Sequence, residues 1–382
     1  MNIKKKIKYM LSTAGSFGLL ATVATVAAGE TTSDSSTNTT TSTKQEITYN
    51  IFPEVQNIKY TDGSISITPE VNLVFENGID AATIARFDQV LKLRNLTYTK
   101  SRNIVSGKTN ILVGIKDDTD TLVDNELKTL GITPDATLDN KLDSYMLNAG
   151  TFNNGSYITL LAKDATAAFY GATTLWHIFN QLDGFKIRNL TIKDYADLKV
   201  RGVSDAYFWD TYTDLGNYTT NNRWNSADDI IGFMKYASFY KLNTFIFRPD
   251  DLILPNIDSK NSASKWQELY TEEEINKFKE VLATSKESKV QFDFSFDLLK
   301  SFDVSNDTDY KTQFDLLTKK MTQMLQIGVR QFSVVSRGVA VTHENYITKL
   351  FVDLIQWLKQ QKQTYTDLNT NMLFFGRYGE YS

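Results

Sequence analysis

Cysteine is absent from the 382-residue chain, and histidine occurs only as His177 and His343. The first absence removes disulfides, thiolate metal sites, iron–sulfur clusters, a cysteine nucleophile and a lipid-modified N-terminal cysteine together. The second removes a His-rich metal centre. No metal or other cofactor is expected. An excess of positive charge is also missing: 41 Lys and Arg stand against 45 Asp and Glu, for a net charge of −4. Nucleic-acid binding ordinarily needs a basic face, so that partner class is set aside. Charged residues at 23% and hydrophobic residues at 41% exclude global disorder and a multi-span membrane protein. What the chain has in quantity is aromatic, with 19 Tyr and 23 Phe. Such rings line ligand platforms and fill apolar cores alike. At roughly 100–200 residues per domain, the length fits one large domain or two ordinary ones.

The N-terminus reads as a targeting signal. Lys4, Lys5, Lys6 and Lys8 precede a run from about Met10 to Ala28 that carries Ser12, Thr13, Gly15, Ser16, Thr22 and Thr25. A basic start, a short apolar stretch and small residues (Val26-Ala27-Ala28) before a polar tract form a secretory signal. Residues 1–28 are therefore expected as a signal peptide. The competing reading is a retained membrane anchor, for which the run is poorly apolar. Residues 29–46, rich in Ser, Thr, Asn and Asp, cannot bury a core and are expected as a flexible linker. The folded part is expected from Ile47 onward and outside the cytoplasm, secreted or at the cell surface.

Two blocks follow. In residues 47–194, Ser64–Thr68 and Val71–Phe75 read as strands, and Ile84, Phe87, Val90 and Leu91 fall at helical spacing. Asn110–Ile115 is a buried-strand run. Ser144–Leu147 and Tyr157–Leu161 flank Asn153-Asn154-Gly155, a hairpin signal. A helix after Asp164 completes a small α/β sandwich. In residues 195–382, strands are expected at Lys199–Val203, Leu242–Phe247, Val290–Phe296, Val329–Val335 and Met372–Phe375. Helices are expected at Ser226–Tyr240, Glu272–Ser288, Tyr310–Ile327 and Asn345–Gln363. Such βα repetition implies a parallel sheet with right-handed crossovers, either doubly wound or in a (β/α)₈ barrel. A full barrel usually takes about 250 residues, more than this block holds.

Particular stretches carry a resemblance. Asp164–Leu175 (DATAAFYGATTL) resembles the end of the non-catalytic domain that precedes the barrel in bacterial hexosaminidases. Asp194–Gly202 (DYADLKVRG) resembles the approach to barrel strand one in glycoside hydrolase family 84, which includes bacterial hyaluronidases and O-GlcNAcase-like β-N-acetylglucosaminidases. Tyr240–Phe247 followed by Pro249-Asp250-Asp251, then Lys265–Tyr270, then Ile327–Val334, are similar to the same family in the same order. The resemblance implies a hexosaminidase-type sandwich followed by a (β/α)₈ barrel, here incomplete at about five βα units. It implies N-acetylglucosamine-containing glycans as partners and substrate-assisted hydrolysis at the carboxyl ends of the strands. In that chemistry the sugar's acetamide oxygen attacks the anomeric carbon. Two adjacent aspartates at the end of strand four orient the acetamide and protonate the leaving oxygen.

This sequence departs from the pattern where the chemistry belongs. Alignment on Phe332 puts Arg337 and Gly338 at the two acidic positions. Arginine stays protonated and cannot supply negative charge to a developing oxazolinium, and glycine has no side chain. General acid help is typically worth about 10²–10⁴-fold, so losing both groups should bring the rate close to background. After strand one the chain reads Val203–Asp210 without the family's glycine turn, and Asp250 stands where the family has a sugar-contacting lysine. The remaining substrate-binding candidates are Asp205, Tyr207, Asp250, Asp251 and Asp297, with Trp209 beside the first two; loop, capping and packing roles compete for each. The expected function is an exported, family-84-like protein with catalysis lost that retains at most glycan binding or a surface interaction role. One alternative is a working β-N-acetylglucosaminidase or hyaluronidase with a replacement acid and a partner chain completing the barrel. The other is a non-functional truncated remnant.

Overall fold

The structure, a computed structural model, describes residues 47–204, 227–247, 267–297, 302, 304–335 and 344–375. Residues 1–46, to which the signal and linker expectations apply, lie outside the described residues. Among the described residues no helix is long and apolar enough to cross a membrane.

The first block comprises β1 (Asn57–Ser66), β2 (Glu70–Phe75), α1 (Ala81–Lys92), β3 (Thr97–Lys100), β4 (Asn110–Ile115), α2 (Leu122–Thr129), α3 (Thr137–Asn140), β5 (Leu142–Phe152), β6 (Gly155–Ala162), α4 (Ala165–Asn180) and β7 (Lys186–Ala196). One seven-stranded sheet runs β1-β7-β5-β6-β4-β2-β3. β1, β7, β5 and β6 are antiparallel neighbours; β6, β4, β2 and β3 are parallel. Asn153 and Asn154 join β5 to β6 in left-handed backbone (φ 48° and 62°). Two such residues make the hairpin turn that matches strand twist, and Asn tolerates them best after Gly. α4 starts where Asp164 accepts from the Ala167 N–H at 2.8 Å. Its small residues let it lie close to the sheet: a Cβ on Gly171 would come 2.3 Å from Leu160 Cδ1. α1 and α4 cover one face with Phe87, Leu91, Phe169 and Leu175. α2 and α3 cover the other with Val123, Leu127 and Leu138. This is the expected α/β sandwich.

The second block comprises β8 (Gly202–Ser204), α5 (Ala227–Ser238), β9 (Thr244–Phe247), α6 (Glu272–Ser288), β10 (Gln291–Asp297), α7 (Asp307–Ile327), β11 (Gln331–Val335), α8 (Glu344–Gln361) and β12 (Leu373–Phe375). All its strands pair in parallel, in the spatial order β8-β9-β10-β11-β12. A doubly wound sheet reverses its strand order at a switch point. This sheet does not, so it has the order of a (β/α)₈ barrel, here an open arc of five strands among the described residues. The two faces differ sharply. Phe245, Phe247, Phe292, Phe294, Phe296, Phe332 and Val334 pack into one cluster with Phe278 of α6, Leu317 and Met321 of α7 and Leu354 of α8. Burial of each such ring contributes roughly 1.5–3 kcal/mol. Strand alternation turns the intervening residues, Asp293, Ser295, Gln331 and Ser333, to the opposite face.

Charged side chains tie the two blocks together at the amino ends of the arc. Lys241 and Lys289 take left-handed backbone after α5 and α6 (φ 56° and 55°). Lys241 pairs with Asp194 at 2.8 Å, and Lys289 pairs with Asp80. Arg201 reaches Asp143 at 2.8 Å. Arg86 of α1 lies between the rings of Phe169 and Phe239, 4.5 and 3.9 Å from their centroids, and donates to Ser238 Oγ at 2.6 Å.

Candidate functional site

Parallel strands present all their carboxyl ends at one edge. Along that edge Ser204 lies beside Ile246, Ile246 beside Asp293, Asp297 beside Val335, and Val335 beside Phe375. Each candidate from the sequence is placed relative to this edge by the chain itself. Asp205 and Tyr207 follow β8, Asp250 and Asp251 follow β9, and Asp297 is the last residue of β10. β11 is the fourth strand of the arc and ends at Val335, so Arg337 and Gly338 come two and three residues after it. Asp205, Tyr207, Trp209, Asp250, Asp251, Arg337 and Gly338 lie outside the described residues. Asp297 is placed by its backbone alone, in register with Val335; β10 extends one residue further than the sequence pattern implied.

A polar patch lies below this edge on the face away from the helices. Asp293 is fully buried, and Ser333 Oγ on the adjacent strand donates to its Oδ1 at 2.9 Å. Its Oδ2 has no hydrogen-bond partner, and neither does the buried hydroxyl of Ser295. Burial pushes the Asp293 carboxyl up to about 7, partly opposed by the Ser333 hydrogen bond. A carboxyl that titrates there can hold or release a proton near neutrality, the property asked of a general acid or base. Asp293 is four residues before Asp297, roughly 13 Å along β10 from that strand's end, yet level in register with Ile246, one residue short of the end of β9. Sequence reasoning looked for acids past the strand ends and passed over Asp293. The signal was present in Phe292-Asp293-Phe294-Ser295-Phe296-Asp297, a strict two-residue alternation that puts every polar side chain on one face.

The opposite, amino end of the arc holds a cleft of about 280 Å³ lined by Asp143, Tyr145, Asp194, Tyr195, Arg201 and Lys241 among others. Asp143, Asp194, Arg201 and Lys241 are paired. Lys241 Nζ donates to Asp194 Oδ2 at 2.8 Å and to the Tyr145 hydroxyl at 3.0 Å, and that hydroxyl donates to Asp194 at 2.7 Å. Burial pushes Lys241 down and Tyr145 well up from their ordinary values. Arg201 donates to Lys241 O, Leu198 O and Asp143. This network joins the blocks and engages the side chains of Asp143, Tyr145, Asp194, Arg201 and Lys241.

Comparison with known proteins follows the same division. Residues 48–195 match the model of glycosyl hydrolase family 20, domain 2, and residues 221–374 match the beta-N-acetylglucosaminidase model. The solved structure of CpGH84D is similar over 86% of this chain and 50% of its own, at 29% identity and TM-score 0.68. These matches support a family-84, hexosaminidase-like relation for the chain. CpGH84B shares the fold at 18% identity, with TM-score 0.60 over 81% of this chain and 48% of its own. The beta-N-acetylhexosaminidase of Bacteroides fragilis NCTC 9343 shares it at 12% identity, with TM-score 0.52 over 85% and 65%. This family-84-like chain spans about half the length of the two family-84 structures it matches.

Proposed function

We propose that this is an exported family-84-like protein that does not hydrolyse glycosides and retains at most the binding of N-acetylglucosamine-containing glycans or a surface interaction role. One observation carries the reading: the fourth strand of the arc runs straight into Ser336-Arg337-Gly338, with no carboxylate at the two positions where the family's chemistry needs neighbouring acids. A guanidinium there opposes the positive charge that develops on the sugar instead of stabilising it. Export rests on the basic and small-residue pattern of residues 1–28, and mass spectrometry of the secreted chain's N-terminus tests it. The purified chain is expected to release no chromophore from an aryl β-N-acetylglucosaminide while retaining weak binding to N-acetylglucosamine-terminated glycans. Turnover that disappears in Asp250→Ala or Asp251→Ala would overturn the reading.

The beta-N-acetylglucosaminidase model match favours a second reading, an active enzyme on the same glycans. It requires a carboxyl other than the family's pair. The same assay decides between the two.

A further inference from the structure

We propose that Asp293, Ser295 and Ser333 form a buried site for a small monovalent cation, Na⁺ or K⁺, between β10 and β11 on the polar face of the arc. This goes beyond the glycan reading and does not depend on it.

The buried groups pose a problem of charge and of hydrogen bonding. Asp293 is fully buried, and among the described residues no basic side chain is paired with it. A buried carboxyl either keeps its proton or takes a compensating positive charge, and a buried hydroxyl needs a partner. Asp293 Oδ2 and Ser295 Oγ have none. They belong to residues two apart on one face of β10, about 7 Å between Cα atoms. Ser333 stands directly across from Ser295 in register, and its hydroxyl fixes the Asp293 carboxyl at 2.9 Å. The three residues therefore occupy neighbouring register positions on one face.

The donor chemistry selects the ligand. Every free atom is an oxygen, the ligand type of hard cations. One carboxylate balances one positive charge. A divalent ion needs more, and the described residues hold no group of three or more acidic, His or Cys side chains able to bind a metal. Neighbouring polar groups on this face are already committed. Gln331 donates to Asn371 O at 2.8 Å and accepts from Asn369, and Thr244 donates to Asn243 Oδ1 at 3.0 Å. They frame the patch without competing for it. Within it, Asp293 and Ser295 touch the ion, and Ser333 positions Asp293.

The full chain is titrated with NaCl or KCl against N-methyl-D-glucamine chloride at equal ionic strength, following thermal unfolding and ²³Na line width. The expected result is a saturable rise in the unfolding temperature with one alkali cation, matched by saturable ²³Na broadening or its displacement by K⁺. Asp293→Asn abolishes both responses, and Ser333→Ala weakens the apparent affinity about tenfold, the usual effect of removing a group that orients a ligand. An equal response to the organic cation, no saturable response, or an unchanged response in Asp293→Asn overturns the site. Should Asp293→Asn fail to fold, Ser295→Ala serves in its place: a tenfold or greater loss of affinity supports the site, and unchanged affinity overturns it.

Discussion

Buried carboxyls in the two sheets are treated differently. In the seven-stranded sheet Glu76 receives the main-chain N–H groups of Ile115 and Val123 at 2.7 and 2.6 Å, and Asp194 receives Lys241 and Tyr145. Asn148 there links Thr159 and Thr191 across three strands at 3.1 and 2.9 Å. In the parallel arc Asp293 has one partner and an oxygen without any. The first sheet is covered by helices on both faces, and its buried carboxyls Glu76 and Asp194 are satisfied internally, although Asn72 Oδ1 and Asn189 Oδ1 are not. The arc puts its helices and phenylalanines on one face and its polar residues on the other. The first sheet therefore reads as support. The arc leaves buried Asp293 Oδ2 and the Ser295 hydroxyl without partners on the face that lines the interior in a barrel.

The comparison breaks most visibly where the arc's own core is removed. Phe294 contacts the rings of Phe247, Tyr270, Phe278, Phe296 and Phe332. Phe294→Ala is expected to cost roughly 3–5 kcal/mol, measured by urea unfolding followed through tryptophan and far-UV signals. If the arc is supported by the first sheet, the arc melts first and the transition splits in two; a single shifted transition would mean that the blocks stand or fall together. Somewhat less is expected from Lys241→Ala. It leaves Asp194 buried with only Tyr145 and a main-chain N–H, a change that costs about 3 kcal/mol for a buried pair broken on one side. Lys241→Met with Asp194→Asn should recover much of that loss, because replacing both charges removes the stranded one. Failure of the double variant to recover would show that the ion pair itself holds the blocks.

Much of this architecture was legible in the sequence, for reasons that differ by element. Helices α6 and α7 carry strong local signals. Thr271 and Glu274 form a reciprocal capping box, and Gly328 closes α7 in left-handed backbone (φ 114°). The β5–β6 hairpin announced itself through Asn153-Asn154-Gly155. β7 did not. Its buried residues Ile187, Leu190 and Ile192 break the two-residue period by one step, so a pattern search for strict alternation passes it by. The choice between a doubly wound sheet and a barrel is not local at all; it rests on strand order, which only pairing reveals. At the site, adjacent residues could be aligned by resemblance, which is how Arg337 and Gly338 were found. The Asp293–Ser333 contact joins residues 40 positions apart on neighbouring strands. No spacing rule brings such a pair together before the register is known.

The smallest effect sharpens the comparison most, because it tests whether a satisfied buried carboxyl still carries a cost. Burial pushes Glu76 up to about 7, although the N–H groups of Val123 and Ile115 favour its charged form and pull the other way. A carboxyl with a folded value above its unfolded one of about 4.3 holds its proton more tightly in the native state. Its contribution to stability is then complete below about pH 4.3 and is lost as pH rises to about 7. A contribution on the order of 1–2 kcal/mol is expected over that window, reduced from the full linkage value for screening by solvent. Glu76→Gln lowers stability at every pH, since its amide turns a donor toward a main-chain N–H. The readout is therefore the slope of unfolding free energy between pH 4.5 and 7, not its level. That slope should flatten in Glu76→Gln by the part Glu76 supplies, while Asp293, raised by burial as well, keeps its own. An unchanged slope would mean that two main-chain donors fully offset burial, which would widen the contrast between Glu76 and Asp293.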